Sequence, residues 1–321
     1  MPTDSLFIVY SQPFPESGGP AVSVVIPAYN SAGPLERALA SVNAQTFRDF
    51  EIIVVDDGSR QDDSGAALRY LQTNVLPGRV IRQDNAGRAG ALNTGIAASS
   101  GRYIALLDTE DSWRPEKLAR VMAALSANPG IDLLAHDCAI TRAGKTIGRH
   151  ICAADPANAR DCLLYEDNPL IPSATVFGKT AALKIGGFRE SPDLQSVEDH
   201  DFCIRMCEVT GFYFLHEVLC EHQRPPRPSE EEIARHYGNL DTMLSGYYAA
   251  LYADGAPGAV RKRINRRRAS VQRSWAKELL LCGAGAAAGE RVRAMNRLDR
   301  FDGKNAAVTL WWLLKKITAE K

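Results

Sequence analysis

The chain has 321 residues, of which 45% are hydrophobic and 24% are charged. Its 38 basic and 38 acidic residues give a net charge of zero, which excludes an overall acidic or basic character as the basis of partner choice. Seven cysteines, without a Cys-x-x-Cys pair, argue against a disulfide framework and favour a reducing cytoplasm. The sequence shows neither a secretory signal nor an apolar run of about 20 residues, so it predicts a soluble or peripheral protein.

Strands and helices are predicted to alternate through the first third of the chain. Residues 1–20, rich in Pro, Ser and Gly, predict a flexible leader. Apolar runs then predict buried strands at 22–26, 52–55, 80–81 and 103–107, with helices at about 34–45, up to 71, and at 88–98. This alternation predicts an α/β fold with a doubly wound, mainly parallel sheet flanked by helices.

After residue 113 the pattern is less regular. Strands are predicted near 131–135, 147–152, 173–177 and 212–220, and helices at 115–125 and 198–209. A proline-rich break at 225–228 precedes a segment that is helical throughout. We therefore predict an α/β domain over 21–228, with halves 21–112 and 113–228, and a C-terminal helical region over 229–321.

Three carboxylates, those of Asp108, Glu110 and Asp111, directly follow the predicted strand 103–107. Open α/β sheets bind ligands at the carboxyl ends of their strands. Crowded carboxylates repel one another unless a cation joins them, and oxygen ligands suit Mg²⁺ or Mn²⁺. A metal–diphosphate site is one interpretation. The other is an acidic turn that caps the helix beginning near Pro115, and the turn alone does not decide between them.

The carboxyl ends of the predicted parallel strands gather four polar turns on one rim, at 27–30, 56–59, 85–87 and 108–111. Tyr29 can stack on a base, Asp56 or Asp57 can accept a hydrogen bond from the base or ribose, and Arg88 can neutralise a diphosphate. Each turn is also explained by ordinary turn chemistry. Four of them on one rim favour a nucleoside diphosphate site.

A series of motifs in this order resembles the family 2 inverting glycosyltransferases, which have the GT-A fold. The matching segments are 22–30, 45–59, 85–87, 93–96, 101–104, 107–111 and 198–201. The resemblance is dense over 22–113, thinner to about 224, and not specific beyond. It implies a GT-A-type mixed, mainly parallel sheet, a nucleotide-sugar donor (most often linked to UDP), and Mn²⁺ or Mg²⁺. It also implies a glycan or lipid-linked acceptor in surface polysaccharide or glycoconjugate synthesis.

The resemblance also implies roles for individual residues. Asp199 matches the catalytic base. The donor-binding positions are Pro27, Ala28, Tyr29, Asn30, Asp56, Asp57, Asn85, Gly87, Arg88 and Asp108. The metal positions are Asp108 and Glu110, with Asp111 and His222 as further candidates, and the acceptor side includes Trp113, Gly187 and Glu198.

Alternatives stay open for several of these residues. A carboxylate at the start of the helix over 198–209 suits a general base, but Asp199 or Glu198 also suits a simple helix cap. Trp113 can form a sugar platform or belong to the core, residues 186–188 can contact the acceptor or only end a helix, and His222 can be a ligand or a surface histidine.

Two departures from the family pattern keep a second function open. Glu110 replaces the more usual aspartate, and Leu92 stands where an arginine is common, which leaves diphosphate contacts to Arg88. A non-catalytic sugar-nucleotide-binding or scaffold protein is therefore the alternative. A glycine-rich run at 279–289 imitates a dinucleotide fingerprint, but its context predicts a helix–helix linker instead.

The C-terminal helices carry a run of basic residues between 261 and 273 beside an apolar stripe. A helix of this kind can lie on an anionic membrane surface. More commonly, it packs on the rest of the protein and its basic face is exposed to solvent. Residues 310–314 (LWWLL), followed by two lysines, form a second candidate for membrane or partner contact. We predict a cytoplasmic protein, with peripheral contact at the inner face of the membrane, and no nucleic-acid partner.

Overall fold

A computed structural model of the protein describes residues 7–14, 18–151, 156–224, 227–299 and 302–319. The chain divides into two compact units. The first takes in residues 1–160, 168–190 and 198–224, and the second residues 161–167, 191–197 and 225–321. The second unit thus includes three short segments from the range predicted as the α/β domain, 21–228, namely 161–167, 191–197 and 225–228.

The first unit is built on a single mixed sheet. Its strands are β1 (Phe7–Gln12), β2 (Val22–Ala28), β3 (Phe50–Asp57), β4 (Gly78–Gln83), β5 (Tyr103–Leu106), β6 (Ser112–Trp113), β7 (Ile131–Arg142), β8 (Lys145–His150), β9 (Thr175–Gly178) and β10 (Gly211–Gln223). Its helices are α1 (Ala32–Asn43), α2 (Asp63–Thr73), α3 (Gly87–Ala98), α4 (Lys117–Ala127), α6 (Lys179–Lys184) and α7 (Glu198–Met206), and α5 (Ala159–Tyr165) begins in this unit but belongs to the second from residue 161.

The described strands follow the order β1-β4-β3-β2-β5-β9-β7-β10-β6, and β8 pairs with β7. Strands β4, β3, β2 and β5 are parallel to one another, as are β7 and β10. The antiparallel strand β9 joins the two parallel groups. The predicted fold class, a mixed and mainly parallel sheet flanked by helices, is confirmed. The loops after β2, β3, β4 and β5 consequently leave the sheet at the same edge.

The predicted flexible leader contains an ordered edge strand. Residues 7–12 form β1, which pairs antiparallel with β4, because the β-prone run FIVY can extend the sheet. Residues 1–6 and 15–17 of the leader lie outside the described residues. The expectation of a wholly flexible leader is therefore wrong for this segment.

Helix α1 shows how the sequence pattern attaches helices to the sheet. Leu35, Ala38, Leu39 and Val42 are fully buried, as their spacing predicts. They belong to the same apolar core as strands β2 and β3. Burying each leucine stabilises the fold by about 1.5–3 kcal/mol.

A lysine is buried in the core of the first unit. Lys117 begins α4, and its Nζ lies 3.3 Å from the centroid of the Trp113 ring. Nζ is buried and has no hydrogen-bond partner among the described residues. Burial therefore lowers the pKa of Lys117 well below its usual value.

The second unit is helical, with α8 (Glu230–Ala253), α9 (Gly258–Cys282), α10 (Gly285–Leu298) and α11 (Gly303–Ala319). Ser229 and Glu232 form a capping box at the start of α8. Gly283, with φ of 93°, ends α9 just before α10 begins. The glycine-rich run is therefore a helix–helix linker, as predicted.

Much of the basic run on α9 is used inside the second unit. Arg263 donates to Asp161 Oδ2 at 2.7 Å, and the buried Arg267 donates to the carbonyl of Glu166. Arg273 donates to Asn305 Oδ1 at 2.8 Å. These arginines bind other parts of the unit and do not form a free basic face.

Candidate active site

The turns after β2 and β3 are bound to each other. Asn30 has a positive φ of 52°, its N–H donates to Ser59 Oγ at 3.0 Å, and its Oδ1 accepts from the N–H of Arg60 at 2.8 Å. Asn30 thus positions both turns. The preceding Tyr29 is 52% exposed, so its ring is open to a ligand, whereas Ala28 is buried beneath it at the end of β2. Pro27, also in β2, is half-buried.

The two neighbouring aspartates at the end of β3 differ in their surroundings. Asp56 is fully buried, and its oxygens accept from the N–H of Ser59 at 2.9 Å, from Arg82 at 2.6 Å and from Ser64 Oγ. These bonds make Asp56 a support of the turn, and its contact with a nucleoside stays a prediction. Asp57 remains the candidate acceptor on this turn.

Asp57 connects the β3 turn to the turn after β4. Its Oδ1 accepts from Gln83 Nε2 at 2.7 Å and from the N–H of Ala86 at 2.9 Å. The exposed Asn85 accepts from the N–H of Gly87 at 3.3 Å. Gly87 begins α3 with φ of +75°, a conformation that glycine adopts without strain.

Arg88 joins the turn after β5 to the start of α7. Its Nη2 donates to Asp108 Oδ1 at 2.7 Å, and its Nη1 donates to Glu198 Oε1 at 3.2 Å. Burial opposes the charged guanidinium, but the carboxylates of Asp108 and Glu198 outweigh it and raise the pKa of Arg88 above its usual value. Arg88 therefore stays cationic between two carboxylates that are otherwise distant in the sequence.

The three carboxylates of the acidic turn face different partners. Glu110 is exposed and lies 3.7 Å from Arg37 Nη2. Asp111 is buried, accepting from Ser173 Oγ at 2.5 Å and from the N–H of Gln223 at 2.8 Å. Asp111 Oδ2 also lies 3.0 Å from Nδ1 of His222, and this contact raises the pKa of His222. Asp111 thus supports β10 and His222, and its role as a direct metal ligand stays a prediction.

Asp199 lies in the first turn of α7 and is half-buried. It lines a small, mostly apolar pocket together with Leu106, Leu170, Pro172, Thr175, Phe188, Phe202 and Cys203. Burial and the adjacent Glu198 raise its pKa to about 6, against the opposing effects of Arg88 and of the His200 N–H, which donates at 2.9 Å. A carboxyl with this pKa is largely deprotonated at neutral pH yet basic enough to accept a proton.

The loop between α6 and α7 is clamped by Asn93. Its Nδ2 donates to the carbonyl of Phe188 at 2.8 Å, and its Oδ1 accepts from the N–H of the same residue at 2.8 Å. Gly187, with φ of +69°, lies so close that an added Cβ would be 2.5 Å from Asn93 Oδ1. Arg205 donates to the carbonyl of Gly187 at 2.9 Å and to Asp201 Oδ2 at 2.8 Å. These contacts fix the loop that carries Phe188 into the pocket of Asp199.

Trp113 is a core residue. It is buried, its Nε1 donates to the carbonyl of Ser173 at 2.8 Å, and Lys117 lies over its ring. The interpretation as an exposed sugar platform is therefore wrong, and the alternative of a core position is confirmed.

Sequence comparison identifies the family of a chain with this geometry. The model for glycosyl transferase family 2 matches residues 23–150. An uncharacterized glycosyltransferase of Rickettsia prowazekii is 31% identical over 238 residues, which are 72% of this chain and 73% of the relative. The chain belongs to glycosyltransferase family 2.

Two further relatives are matched by this glycosyltransferase over only part of their length. An uncharacterized glycosyltransferase of Nostoc sp. is 41% identical over 148 residues, which are 46% of this chain but only 43% of the relative. The succinoglycan biosynthesis protein ExoW of Rhizobium meliloti is 34% identical over 207 residues, 62% of this chain and 58% of the relative. The chain thus spans about half the length of these two relatives.

Solved structures support the GT-A fold of this glycosyltransferase. The mannosyltransferase PcManGT of Pyrobaculum calidifontis, in complex with GDP-Man and Mn²⁺, has a TM-score of 0.59 and 20% identity, and covers 96% of this chain and 88% of its own. TarS 1–349 of S. aureus, in complex with UDP, has a TM-score of 0.55 and 16% identity, and covers 87% of this chain and 91% of its own. At these identities the likeness concerns the fold.

The acidic turn of this glycosyltransferase supplies only some of the ligands that a divalent cation needs. In the described ranges, no three or more His, Cys, Asp or Glu side chains are gathered to hold a metal. Asp108 and Glu110 supply carboxylate oxygens at the surface, and His222 is held through Nδ1 by Asp111, an arrangement common among metal-binding histidines. Mg²⁺ is usually held by one or two carboxylates plus substrate phosphates, so the chemistry of these residues fits part of such a site.

Sequence reasoning missed several residues that shape the site, namely Ser59, Arg82, Asn93, Ser173, Asp201 and Arg205. Ser59, Asn93 and Asp201 lie in segments that match the family, so that resemblance marks them without revealing their partners. Arg82, Ser173 and Arg205 form contacts that depend on the folded arrangement, and a single sequence carries no local signal for them. Their shared role is to hold the turns in place.

Proposed function

We propose that this family 2 glycosyltransferase transfers a sugar, with inversion at the anomeric carbon, from a nucleoside-diphosphate sugar to a hydroxyl group of a glycan or lipid-linked acceptor. A UDP-sugar is the favoured donor. The observation that carries the proposal is the bridge from Asp108 through Arg88 to Glu198, which brings the acidic turn next to Asp199. Donor-side and base-side groups therefore share one edge of the sheet.

In the proposed reaction Asp199 accepts the proton of the acceptor hydroxyl as its oxygen attacks the anomeric carbon. The bond between that carbon and the diphosphate oxygen breaks, and attack from the opposite face inverts the centre. Arg88 stabilises the negative charge that develops on the departing diphosphate. Tyr29 and Asp57 hold the nucleoside, while Asn85 and Gly87 shape the turn that precedes Arg88.

Mn²⁺ or Mg²⁺, held by Asp108 and Glu110 with His222 as a further ligand, supplies Lewis-acid neutralisation of the diphosphate when bound. Gly187 and Glu198 lie on the acceptor side of Asp199, where Gly187 shapes the loop and Glu198 holds Arg88. The complexes of the structural neighbours with UDP, GDP-Man and Mn²⁺ support a nucleotide-sugar donor and a metal. The relative from succinoglycan biosynthesis supports a polysaccharide pathway.

The proposal places the protein in the cytoplasm, at the inner face of the membrane, where lipid-linked acceptors are available. Within the described ranges, no helix is both long and apolar enough to cross a membrane. Contact of the C-terminal helices with the membrane surface would be peripheral.

The proposal is tested by a thermal-shift screen of nucleotide sugars with and without Mn²⁺, followed by measurement of nucleoside diphosphate release with water or candidate acceptors. We expect one donor to raise Tm in the presence of metal and to be turned over. Asp199→Asn should stop turnover and keep donor binding, whereas the exposed control Asp254→Asn should behave as the wild type.

Three results would change the assignment. Full turnover by Asp199→Asn removes Asp199 as the base. A Tm that responds to no nucleotide sugar removes the donor site. Donor binding without turnover for every acceptor class supports the alternative of a non-catalytic sugar-nucleotide-binding protein. The main observation against that alternative is the bridge from Asp108 through Arg88 to Glu198, beside Asp199.

A further inference from the structure

Helix α11 is apolar on two sides. On its inner side Val308, Trp311 and Trp312 pack against apolar residues of α9 and α10. Trp312 Nε1 donates to the carbonyl of Gly285 at 3.1 Å, which fixes the rotation of the helix. Its outer side carries Leu310, 58% exposed, and Leu313, 43% exposed. A surface helix in water normally has one apolar face, so the outer leucines need a separate explanation.

The outer leucines form the densest group of exposed apolar side chains in the described part of the chain. Ten large hydrophobic residues are exposed there, and three of them, Leu310, Leu313 and Leu314, lie within five positions of α11. No other five-residue stretch of the described chain holds three. Scattered exposed leucines are ordinary, but such a group marks a contact surface.

The net charge of the second unit, which contains α11, favours an anionic partner. The second unit, which comprises residues 161–167, 191–197 and 225–321, contains 18 Lys or Arg and 14 Asp or Glu, a net charge of +4, although the net charge of the whole chain is zero. Lys262, Arg266, Arg293, Arg297 and Lys304 are among the exposed basic residues of the second unit. Arg263 and Arg267 on α9 are bound within the unit and contribute less to this surface.

We propose that the outer face of α11, formed by Leu310, Leu313 and Leu314, inserts into the interfacial layer of an anionic lipid surface. Apolar side chains enter the boundary of the acyl chains, while exposed lysines and arginines hold the headgroups. Two copies of the second unit, each with a positive net charge, would repel one another, which disfavours self-association through this face. The basic run on α9, the first candidate from the sequence, is thus not the inserting element.

The test is co-sedimentation of the full chain with vesicles of phosphatidylcholine, alone or mixed three parts to one with phosphatidylglycerol. We expect binding to the mixed vesicles that weakens as salt is added. The double variant Leu310→Gln/Leu313→Gln should bind about tenfold more weakly or worse, because two apolar side chains no longer enter the lipid. The matched control Leu183→Gln replaces a leucine on α6 that is 55% exposed and should bind as the wild type.

A second measurement does not depend on a variant. Trp311 and Trp312 neighbour the outer leucines, so phospholipids brominated in their acyl chains should quench tryptophan fluorescence when vesicles bind. Unchanged binding of the double variant, or absence of quenching in bound protein, would overturn the assignment to α11. Equal binding to both kinds of vesicle would overturn the claim that the lipid surface must be anionic.

One other outcome also overturns the proposal. If the wild type ignores vesicles but forms dimers that the double variant cannot form, the face belongs to a second copy of the chain. None of these measurements uses a nucleotide sugar, so their results are independent of the transfer assay.

Discussion

Arg88 Nη1 donates to Glu198 Oε1 over 3.2 Å, although the two residues are 110 positions apart in the chain. Glu198 is buried, and its second oxygen, Oε2, has no hydrogen-bond partner in the described residues. The charge of Glu198 is therefore stabilised mainly by Arg88. This pair joins the start of α3, on the donor side, to the start of α7, on the side of the proposed base.

The proposed base predicts how activity depends on pH. Asp199 must be deprotonated to accept a proton, and its pKa is about 6. We expect kcat/KM to rise with pH through this value and to fall when Asp199 becomes protonated below it. The measurement is kcat/KM against pH at saturating metal. A rate that is flat between pH 5 and pH 8, with chemistry rate-limiting, would contradict the assignment.

Glu198→Gln should move that pH dependence. The negative charge of Glu198 raises the pKa of Asp199, so its removal should shift the acidic side of the profile to lower pH. The control Glu208→Gln removes a surface carboxylate that pairs with Arg160 and should leave the profile unchanged. An unshifted profile in Glu198→Gln would show that Glu198 does not affect the base electrostatically.

The loop before α7 offers a matched pair of glycine substitutions. Gly186 and Gly187 both have positive φ, so alanine should cost about 1–2 kcal/mol of backbone strain at either position. Only at Gly187 would the new Cβ also meet Asn93, at 2.5 Å, whereas at Gly186 it meets no atom within 4 Å.

Gly187→Ala should therefore reduce turnover as well as stability, because the loop that carries Phe188 moves away from the pocket of Asp199. Gly186→Ala should lose only stability. The measurements are Tm and kcat/KM for both variants. Equal losses in the two variants would show that the contact with Asn93 is unimportant.

Lys117→Met should stabilise the protein. Removing a buried donor that lacks a partner is worth about 1–3 kcal/mol, and each kcal/mol raises Tm by about 2–4 °C in a unit of this size. The exposed control Lys184→Met should leave Tm nearly unchanged. A lower Tm in Lys117→Met would mean that the amine has a buried partner, such as a water molecule.

Lys117 also predicts a pH dependence of stability. Its folded pKa is well below its unfolded value of about 10.4, so between the two the unfolded state binds more protons. The contribution of this residue to stability therefore rises with pH through that window and is lost as pH falls. In Lys117→Met the corresponding slope of the unfolding free energy against pH should disappear, as denaturant titrations at several pH values can show.

The metal proposal makes a prediction for binding alone. Asp108→Asn and Glu110→Gln should each weaken Mn²⁺-dependent binding of UDP about tenfold or more, the scale seen when metal sites lose support. Arg37→Gln should leave this binding unchanged or strengthen it, because Arg37 is the cation that lies 3.7 Å from Glu110. Titration calorimetry with UDP, with and without Mn²⁺, measures all three. Binding of UDP by Glu110→Gln at wild-type strength would remove Glu110 from the metal site.

Elements with strong local patterns were predictable from the sequence. Residues 52–55 lie in β3 and residues 103–107 largely in β5, because continuous apolar runs of this length suit strands buried on both faces. The sequence did not predict that β9 would connect the two parallel groups of strands, because this position depends on pairing between residues that are far apart in the chain.

The candidate site was predictable by region but not by side chain. Asp56 and Asp57 look equivalent in the sequence, yet successive strand residues point to opposite faces, so one becomes internal support and the other faces the next turn. Trp113 was ambiguous for a related reason, since an indole suits both a core and a sugar platform and only its surroundings decide.

The division of the chain bears on how the enzyme can be shortened. Residues 161–167 and 191–197 belong with the C-terminal helices, where Tyr248 donates to the carbonyl of Leu164 and Asn239 donates to the carbonyl of Gln195 at 3.0 Å. A protein ending at residue 228 would leave both acceptors without their donors, and the Gln195 acceptor lies in the segment that runs directly into α7, the helix bearing Asp199. We therefore expect residues 1–228 expressed alone to be less stable than the full chain, and we predict that a stable enzyme needs the C-terminal helices.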